Sequence, residues 1–362
     1  MKLLHVGYIT NDKNSGVSVV VPEYLREQVK DNRFSPALLN LCSPENDGFK
    51  KRNSDLFDVF YGDSIYDLPD CYDIPDLIVF HEIYRVGLWR ISKEAENNKI
   101  PSVIIPHGSL SLQAQTQKKI AKKILNHLYV NDYLKRSASV QFLSEREKKA
   151  SASFSVNESF VIGNGIENAE RYNGKRKKQI VFIGRLDIYI KGLDVLTDSV
   201  NLARECLREN QYRIIICGPS QNGSYEELQN KIKKIGIEDI VFLKNGIYGD
   251  EKKKLLSSSM LYIQLSRTEA LPTSILEAMS YSLPVIVTPG TSFSEVVSKN
   301  DLGCSVNYDP EVVARAIERM ILRSDLAECG ARASEYVRKN YSWTHVLDRQ
   351  AEMYSRVANE KI

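Results

Sequence analysis

Two carboxylates, Glu269 and Glu277, stand with seven residues between them in Glu269-Ala-Leu-Pro-Thr-Ser-Ile-Leu-Glu277. An ionised carboxylate only accepts hydrogen bonds, which suits it to sugar or ribose hydroxyls. Leu261–Leu265 reads as a strand, Ser266–Pro272 as the turn after it, and Thr273 as the N-cap of a helix through Tyr281. Glu269 is then expected in a loop at the carboxyl edge of a sheet, and Glu277 about one turn into the helix. The amides around Thr273 and Ser274 would point the same way, and a helix N-terminus can hold phosphate.

Two cations stand near a second helix start. Arg185 follows Gly184 at a strand end, and Lys191-Gly192 precedes the next helical pattern. Arg offers a fork and Lys a point charge, a pair suited to a diphosphate. The alternative for Arg185 is a surface ion pair with Asp187. Ser15-Gly16 lies between the first strand and its helix, where glycine lets backbone approach an anion, although a plain turn glycine fits as well. It is not the G-x-G-x-x-G fingerprint of dinucleotide binding. Pro106-His107-Gly108 and His81-Glu82 both end strands. Either histidine can reach into a cleft, and either can be a satisfied structural residue.

The elements that must position these groups read as alternating strands and helices. Apolar runs at Leu3–Ile9, Ala37–Leu41, Leu77–Phe80, Val103–Ile105, Val140–Leu143 and Phe160–Ile162 are continuous rather than alternating, as in strands covered on both faces. Val17, Val20, Val21, Tyr24, Leu25 and Val29 recur at helical spacing, with Pro22 placed in the first turn. The polar, basic stretch Glu170–Gln179 reads as a linker. The pattern restarts after it, with strands Ile180–Gly184, Ile214–Cys217, Val241–Leu243, Leu261–Leu265 and Val285–Val287. Each half reads as a doubly wound α/β sheet. A terminal amphipathic helix, Ser342–Val357, carries Leu347, Ala351, Tyr354 and Val357 on one face.

Composition agrees with two folded domains. The chain has 362 residues, 43% hydrophobic and 26% charged, with 49 Lys+Arg against 46 Asp+Glu. Such balance argues against a dedicated nucleic-acid binder. The six cysteines, Cys42, Cys71, Cys206, Cys217, Cys304 and Cys329, form no C-x-x-C pair, which fits a reducing compartment. Cys217 and Cys304 read as small buried residues. The first apolar run is too short for a signal segment, and no run of about 18 apolar residues occurs. A cytoplasmic protein is expected.

Taken in order, these motifs resemble those of a family-4 glycosyltransferase of the GT-B fold, the large retaining, nucleotide-sugar-dependent group. The resemblance rests on Ser15-Gly16-Val17, Pro106-His107-Gly108, Gly163-Asn164-Gly165-Ile166, Phe182-Ile183-Gly184-Arg185-Leu186 with Lys191-Gly192, Cys217-Gly218, the Glu269–Glu277 stretch and Tyr341-Ser342-Trp343. It implies two facing Rossmann-like domains, 1–168 for the acceptor and 169–342 for the donor, with the active site in the cleft between them. It implies that helix 343–362 packs back on the first domain. By the resemblance, Arg185 and Lys191 hold the donor diphosphate, Glu269 contacts sugar hydroxyls and Glu277 the ribose. Gly16, Gly184 and the amides of Leu271, Thr273 and Ser274 line the donor, and His107 lies by the reacting sugar. His81 and Asn164 fall on the acceptor side.

The sequence departs from the pattern at two places. The family's frequent Glu-Gly-Phe-Gly is here Glu269-Ala270-Leu271-Pro272, whose proline has no N–H to give. The first loop carries Ser15-Gly16 where many members have Gly-Gly. The implied activity is transfer of a sugar from a nucleotide diphosphate donor to an acceptor hydroxyl with retained configuration, in bacterial surface polysaccharide assembly. No D-x-D occurs, so no metal or other cofactor is expected, and cations of the chain would stabilise the departing diphosphate. Rival readings are a nucleotide-sugar epimerase of related fold, a dinucleotide oxidoreductase and a non-catalytic two-lobed sugar-binding protein. Lys118–Arg136 interleaves Lys118, Lys119, Lys122, Lys123, Lys135 and Arg136 with Ile120, Ile124, Leu125, Leu128 and Leu134. It reads either as a peripheral contact with the inner face of a membrane, near a lipid-linked acceptor, or as a solvated helix with its apolar side in the core.

Overall fold

The computed structural model describes residues 1–359 apart from 13, 14, 44–48, 50–52, 54, 70, 71, 73, 171 and 173. Cys71 lies outside the described residues. The chain divides into two compact units, Met1–Gly165 with Trp343–Ile362, and Ile166–Ser342. The division falls just before the expected boundary at 168/169.

The N-terminal unit is built on a parallel sheet of β1 (Lys2–Gly7), β2 (Ser35–Asn40), β3 (Asp58–Tyr61), β4 (Leu77–His81), β5 (Ser102–Ile105), β6 (Ser139–Phe142) and β7 (Ser159–Val161). Their order is β3-β2-β1-β4-β5-β6-β7. One face packs Leu4, Val6, Ile78, Phe80 and Ile104 on Tyr133, and the other packs Leu38 and Val59 on Val21 and Leu25 of the first helix. Burial on both faces is why these strands read as unbroken apolar runs. The first helix, Gly16–Lys30, is capped by the Ser15 hydroxyl, which accepts from the Ser18 amide at 3.4 Å. Pro22 lies inside this helix, beyond the first turn where the sequence pattern had placed it.

The second unit repeats the plan with β8 (Gln179–Ile183), β9 (Arg213–Cys217), β10 (Val241–Lys244), β11 (Leu261–Gln264), β12 (Val285–Val287) and β13 (Gly303–Ser305), all parallel, in the order β10-β9-β8-β11-β12-β13. β3 and β13 escape the sequence reading for one reason. Both are short edge strands of mixed polarity, exposed at one end or both, so neither makes an apolar run.

The stretch read as a linker, Glu170–Gln179, is part of the second unit. The Arg176 guanidinium donates to the carbonyls of Ser259 at 2.8 Å and Tyr281 at 2.6 Å. These residues end the helices Gly249–Ser258 and Thr273–Ser280, so one cation closes two helix C-termini. Arg176 anchors the stretch, while Lys175, Lys177 and Lys178 are exposed.

The terminal helix Trp343–Asn359 belongs to the N-terminal unit. It buries Val346, Leu347, Gln350, Tyr354 and Val357, and the Tyr354 hydroxyl donates to Gln141 Oε1 at 2.7 Å. Lys119–Leu125 buries none of its residues. Ile120, Ile124 and Leu128 are 79%, 53% and 63% exposed, whereas Leu125 packs on the core and Leu134 is buried in it, so the reading of an apolar side turned to the core holds only for the later part of Lys118–Arg136.

One glycine is fixed by geometry where the second sheet meets its first helix. Gly192 has φ +66°, and a Cβ there would lie 2.2 Å from the Leu265 carbonyl oxygen. Gly236 shares the conformation, at φ +68°, but a Cβ there meets nothing within 4 Å. Left-handed backbone alone costs a non-glycine residue about 1 kcal/mol or more. Gly192→Ala is therefore expected to lower the urea unfolding free energy by more than Gly236→Ala does. Equal losses would contradict the close approach of Gly192 to β11.

Candidate active site

β8 and β11 are neighbours at the point where the strand order of the second sheet reverses, which is where open α/β sheets place ligands. The loops leaving their carboxyl ends carry Lys191 and Glu269. The structure brings these two together: Lys191 Nζ pairs with Glu269 Oε1, with the side chains 14% and 18% exposed. Arg185 leaves the end of β8 exposed and enters no ion pair among the described residues. The expected alternative for Arg185 does not form, because the Asp187 carboxylate instead accepts from the Ile190 amide at 2.9 Å.

Glu269 is held by a polar chain that the sequence reading did not single out. Ser266 Oγ donates to Glu269 Oε1 at 2.9 Å, and Gln264 Nε2 lies 3.2 Å from the same oxygen. Gln264 is buried, and its Oε1 accepts from Tyr262 at 2.9 Å and Ser274 at 2.8 Å. The backbone amide of Glu269 donates to the Gly290 carbonyl at 2.9 Å. The signal available in the sequence was a glutamine in a strand otherwise buried and apolar, since a buried amide must find partners.

A clamp joins the two loops beside the pair. Arg267 forks onto Asp194 with two contacts of 2.8 Å, and its amide donates to the Ile190 carbonyl at 2.8 Å. Its guanidinium also lies 4.1 Å from the Tyr189 ring centroid. Burial pushes the Asp194 carboxyl up, but hydrogen bonds from Arg267 and an amide outweigh that and hold it below the usual carboxylate range.

The helix Thr273–Ser280 starts one residue earlier than expected. Pro272, with φ −74°, takes the cap position without a side-chain cap, and Thr273 is the first helical residue. First-turn amides of a helix lack intrahelical acceptors, so those of Thr273 and Ser274 are available to an anion. The Ser274 hydroxyl is committed to Gln264 and Leu271 is buried, so backbone is what these residues can offer. Glu277 sits on this helix and pairs with Lys252. Gly184 hydrogen-bonds Cys217 through its amide at 3.0 Å.

In the N-terminal unit the corresponding strand ends carry histidines. His107 follows β5 with φ +50°, and its Nε2 lies 3.0 Å from His81 Nδ1. His81 is fully buried behind it, so it does not reach an acceptor as expected. The adjacent Gly108 amide donates to Glu147, whose other oxygen accepts from Leu143. Burial raises the Glu147 carboxyl even against those two amides. Asn164 is buried and accepts the Tyr24 hydroxyl at 3.1 Å, a bond internal to this unit. Gly16 opens the first helix, and a side chain there would meet no atom within 4 Å. Among the described residues, no three His, Cys, Asp or Glu side chains are grouped to hold a metal ion, and no helix is long and apolar enough to cross a membrane.

Residues 166–340 match the family model of the glycosyl transferases group 1. A GDP-mannose:cellobiosyl-diphosphopolyprenol alpha-mannosyltransferase of Xanthomonas oryzae is 27% identical over 201 residues, covering 54% of this chain and 52% of that protein. The phosphatidylinositol N-acetylglucosaminyltransferase GPI3 subunit of Saccharomyces cerevisiae is 24% identical over 206 residues, 56% of this chain and 44% of that protein. The match thus spans about half the length of these relatives. The crystal structure of Anabaena HepE in complex with UDP and glucose superposes with a TM-score of 0.73 at 17% identity, over 98% of this chain and all of that one. The matched segment, 166–340, makes up nearly all of the second unit and contains Arg185, Lys191, Glu269 and Glu277. That segment is similar to the group 1 glycosyl transferases, and the two doubly wound units of the chain have the GT-B fold.

Proposed function

We propose that this chain transfers a sugar from a nucleotide diphosphate donor to an acceptor hydroxyl with retained configuration and without a metal ion. The observation that carries the reading is the set of groups at the switch point of the second sheet: an exposed Arg185, in no ion pair among the described residues, the Lys191–Glu269 pair, and the amides opening Thr273–Ser280. A departing diphosphate gathers negative charge on its oxygens. Lys191, held by Glu269, and the helix amides are positioned donors for such charge, and Arg185 adds an exposed cation at the end of β8. Glu269, already accepting from Ser266 and Gln264, keeps lone pairs for sugar hydroxyls. Glu277 takes the ribose in exchange for its contact with Lys252. No carboxylate here is assigned as a covalent nucleophile. Attack on the face that the diphosphate leaves, with the diphosphate taking the proton, is the mechanism proposed.

The acceptor is assigned to the N-terminal unit, near His107, and to the lipid-linked class. The activity for which the Xanthomonas relative is named, on a diphosphopolyprenol, supports this. So does the outward face of Lys119–Leu125, where exposed Ile120 and Ile124 stand among Lys118, Lys119 and Lys123. Apolar side chains entering the headgroup region and lysines on anionic lipid make a peripheral contact at the inner face of the cytoplasmic membrane.

A screen of nucleotide sugars for hydrolysis and transfer tests the activity and fixes the donor. Lys191→Ala and Glu269→Ala are each expected to lower transfer about 100-fold or more while the circular dichroism stays native. Near-normal turnover in either variant would remove that residue from the site. For the membrane contact, sedimentation with vesicles should show binding that rises with phosphatidylglycerol content and drops about tenfold in Ile120→Ser/Ile124→Ser. Binding indifferent to both would contradict it.

A further inference from the structure

Three histidines from three adjacent strands form one hydrogen-bonded line through the N-terminal unit. His5 lies on β1, His81 ends β4 and His107 follows β5, and these strands are neighbours in the sheet. His5 pairs in register with Val79, two residues before His81, which puts both histidines on one face of the sheet. The contacts run His107 Nε2 to His81 Nδ1 at 3.0 Å, His81 Nε2 to His5 Nδ1 at 2.9 Å, and His5 Nε2 to Gln28 Oε1 at 2.9 Å. Gln28 Nε2 then donates to Gln350 Oε1 on the terminal helix at 3.1 Å. The rings are stacked, with centroids 5.2 and 5.3 Å apart.

Each link dictates the next. A carbonyl oxygen only accepts, so His5 carries its hydrogen on Nε2 and offers a lone pair at Nδ1. His81 must then donate from Nε2 and accept at Nδ1, and His107 must donate from Nε2. The remaining nitrogen, His107 Nδ1, is left as an unprotonated acceptor, and it bonds to no other group among the described residues. We propose that Gln28, acting through His5 and His81, fixes the tautomer of His107 so that its Nδ1 is presented as a hydrogen-bond acceptor to a substrate hydroxyl. His5, His81 and Gln28 are positioning residues for this nitrogen.

Charge does not substitute for this role. Burial lowers the pKa of His5 and of His107 to about 4 and holds that of His81 well below the usual histidine range, so the line is neutral near pH 7. Gln350 Nε2, at the far end, is buried with no hydrogen-bond partner among the described residues, so the line ends inside the unit. It holds an orientation and does not drain protons.

The substrate hydroxyl rests on the transfer reading above, whereas the tautomer does not. Nitrogen-15 spectra of the full chain at pH 7, with the five histidines assigned by single substitutions, read each ring nitrogen directly. In the wild type, His5, His81 and His107 are expected to be Nε2–H tautomers. A hydrogen on His107 Nδ1, or mixed tautomers along the line, overturns the proposal without any variant. Gln28→Leu removes the acceptor that sets the direction. It should move the His107 tautomer ratio roughly tenfold toward Nδ1–H, the bias that one hydrogen bond supplies. It should also lower kcat several-fold with the donor KM unchanged. A His107 signal identical in Gln28→Leu also overturns it. If the tautomers respond but the wild type transfers no sugar, the relay stands and the transfer reading falls.

Discussion

The Lys191–Glu269 contact joins loops 78 residues apart in the chain, and the site depends on it. A partly buried ion pair contributes little net stability, because desolvation offsets attraction. What it fixes is position. Lys191 reaches Glu269 because Gly192 lets its loop lie against the Leu265 carbonyl. The Arg267–Asp194 fork ties the same two loops from the other side. Gln264 and Ser266 then set the rotamer of Glu269 from beneath. Lys191 and Glu269 are thus held by neighbours that carry hydrogen bonds of their own, while Arg185 stands exposed at the end of β8.

The two units solve the same topological problem with opposite electrostatics. Both place functional groups at the carboxyl ends of strands where the order reverses. The second unit puts charges there, as suits a diphosphate. The first puts neutral, directionally bonded rings there, as the proposed hydrogen bond to a substrate hydroxyl requires. The difference follows from burial. Lys191 and Glu269 keep some exposure and each other, whereas His5 and His81 have none and are held uncharged.

Much of this was legible in the sequence. Central strands buried on both faces announce themselves as apolar runs, so β1, β4, β8 and β11 were readable, and with them the loops that carry Lys191, Glu269 and His107. β3 and β13 were not, because an edge strand needs no such run. The polar, basic stretch 170–179 was read as a linker, yet Arg176 places its charge on two helix ends. Thr273 had the composition of a cap, but proline preceded it and took the place. The partners of the site residues were the least visible. Gln264, Asp194, His5 and Gln28 sit inside ordinary strand and helix patterns, and only tertiary packing shows which buried polar group meets which. His81 was picked out as a residue facing the acceptor because strand ends line clefts. It lies behind His107 instead, one layer too deep to touch a ligand.

The central claim is that side-chain cations and helix amides of the second unit grip a diphosphate without a divalent ion. Calorimetric titration of UDP and of GDP in the presence of EDTA tests it most directly, with wild-type protein and Arg185→Ala compared. The account predicts that one of the two nucleotides binds the wild type as well in EDTA as in magnesium, and about tenfold or more weaker in Arg185→Ala, the loss expected for a charge-assisted contact. Binding that appears only with magnesium, or that is indifferent to Arg185, would contradict it.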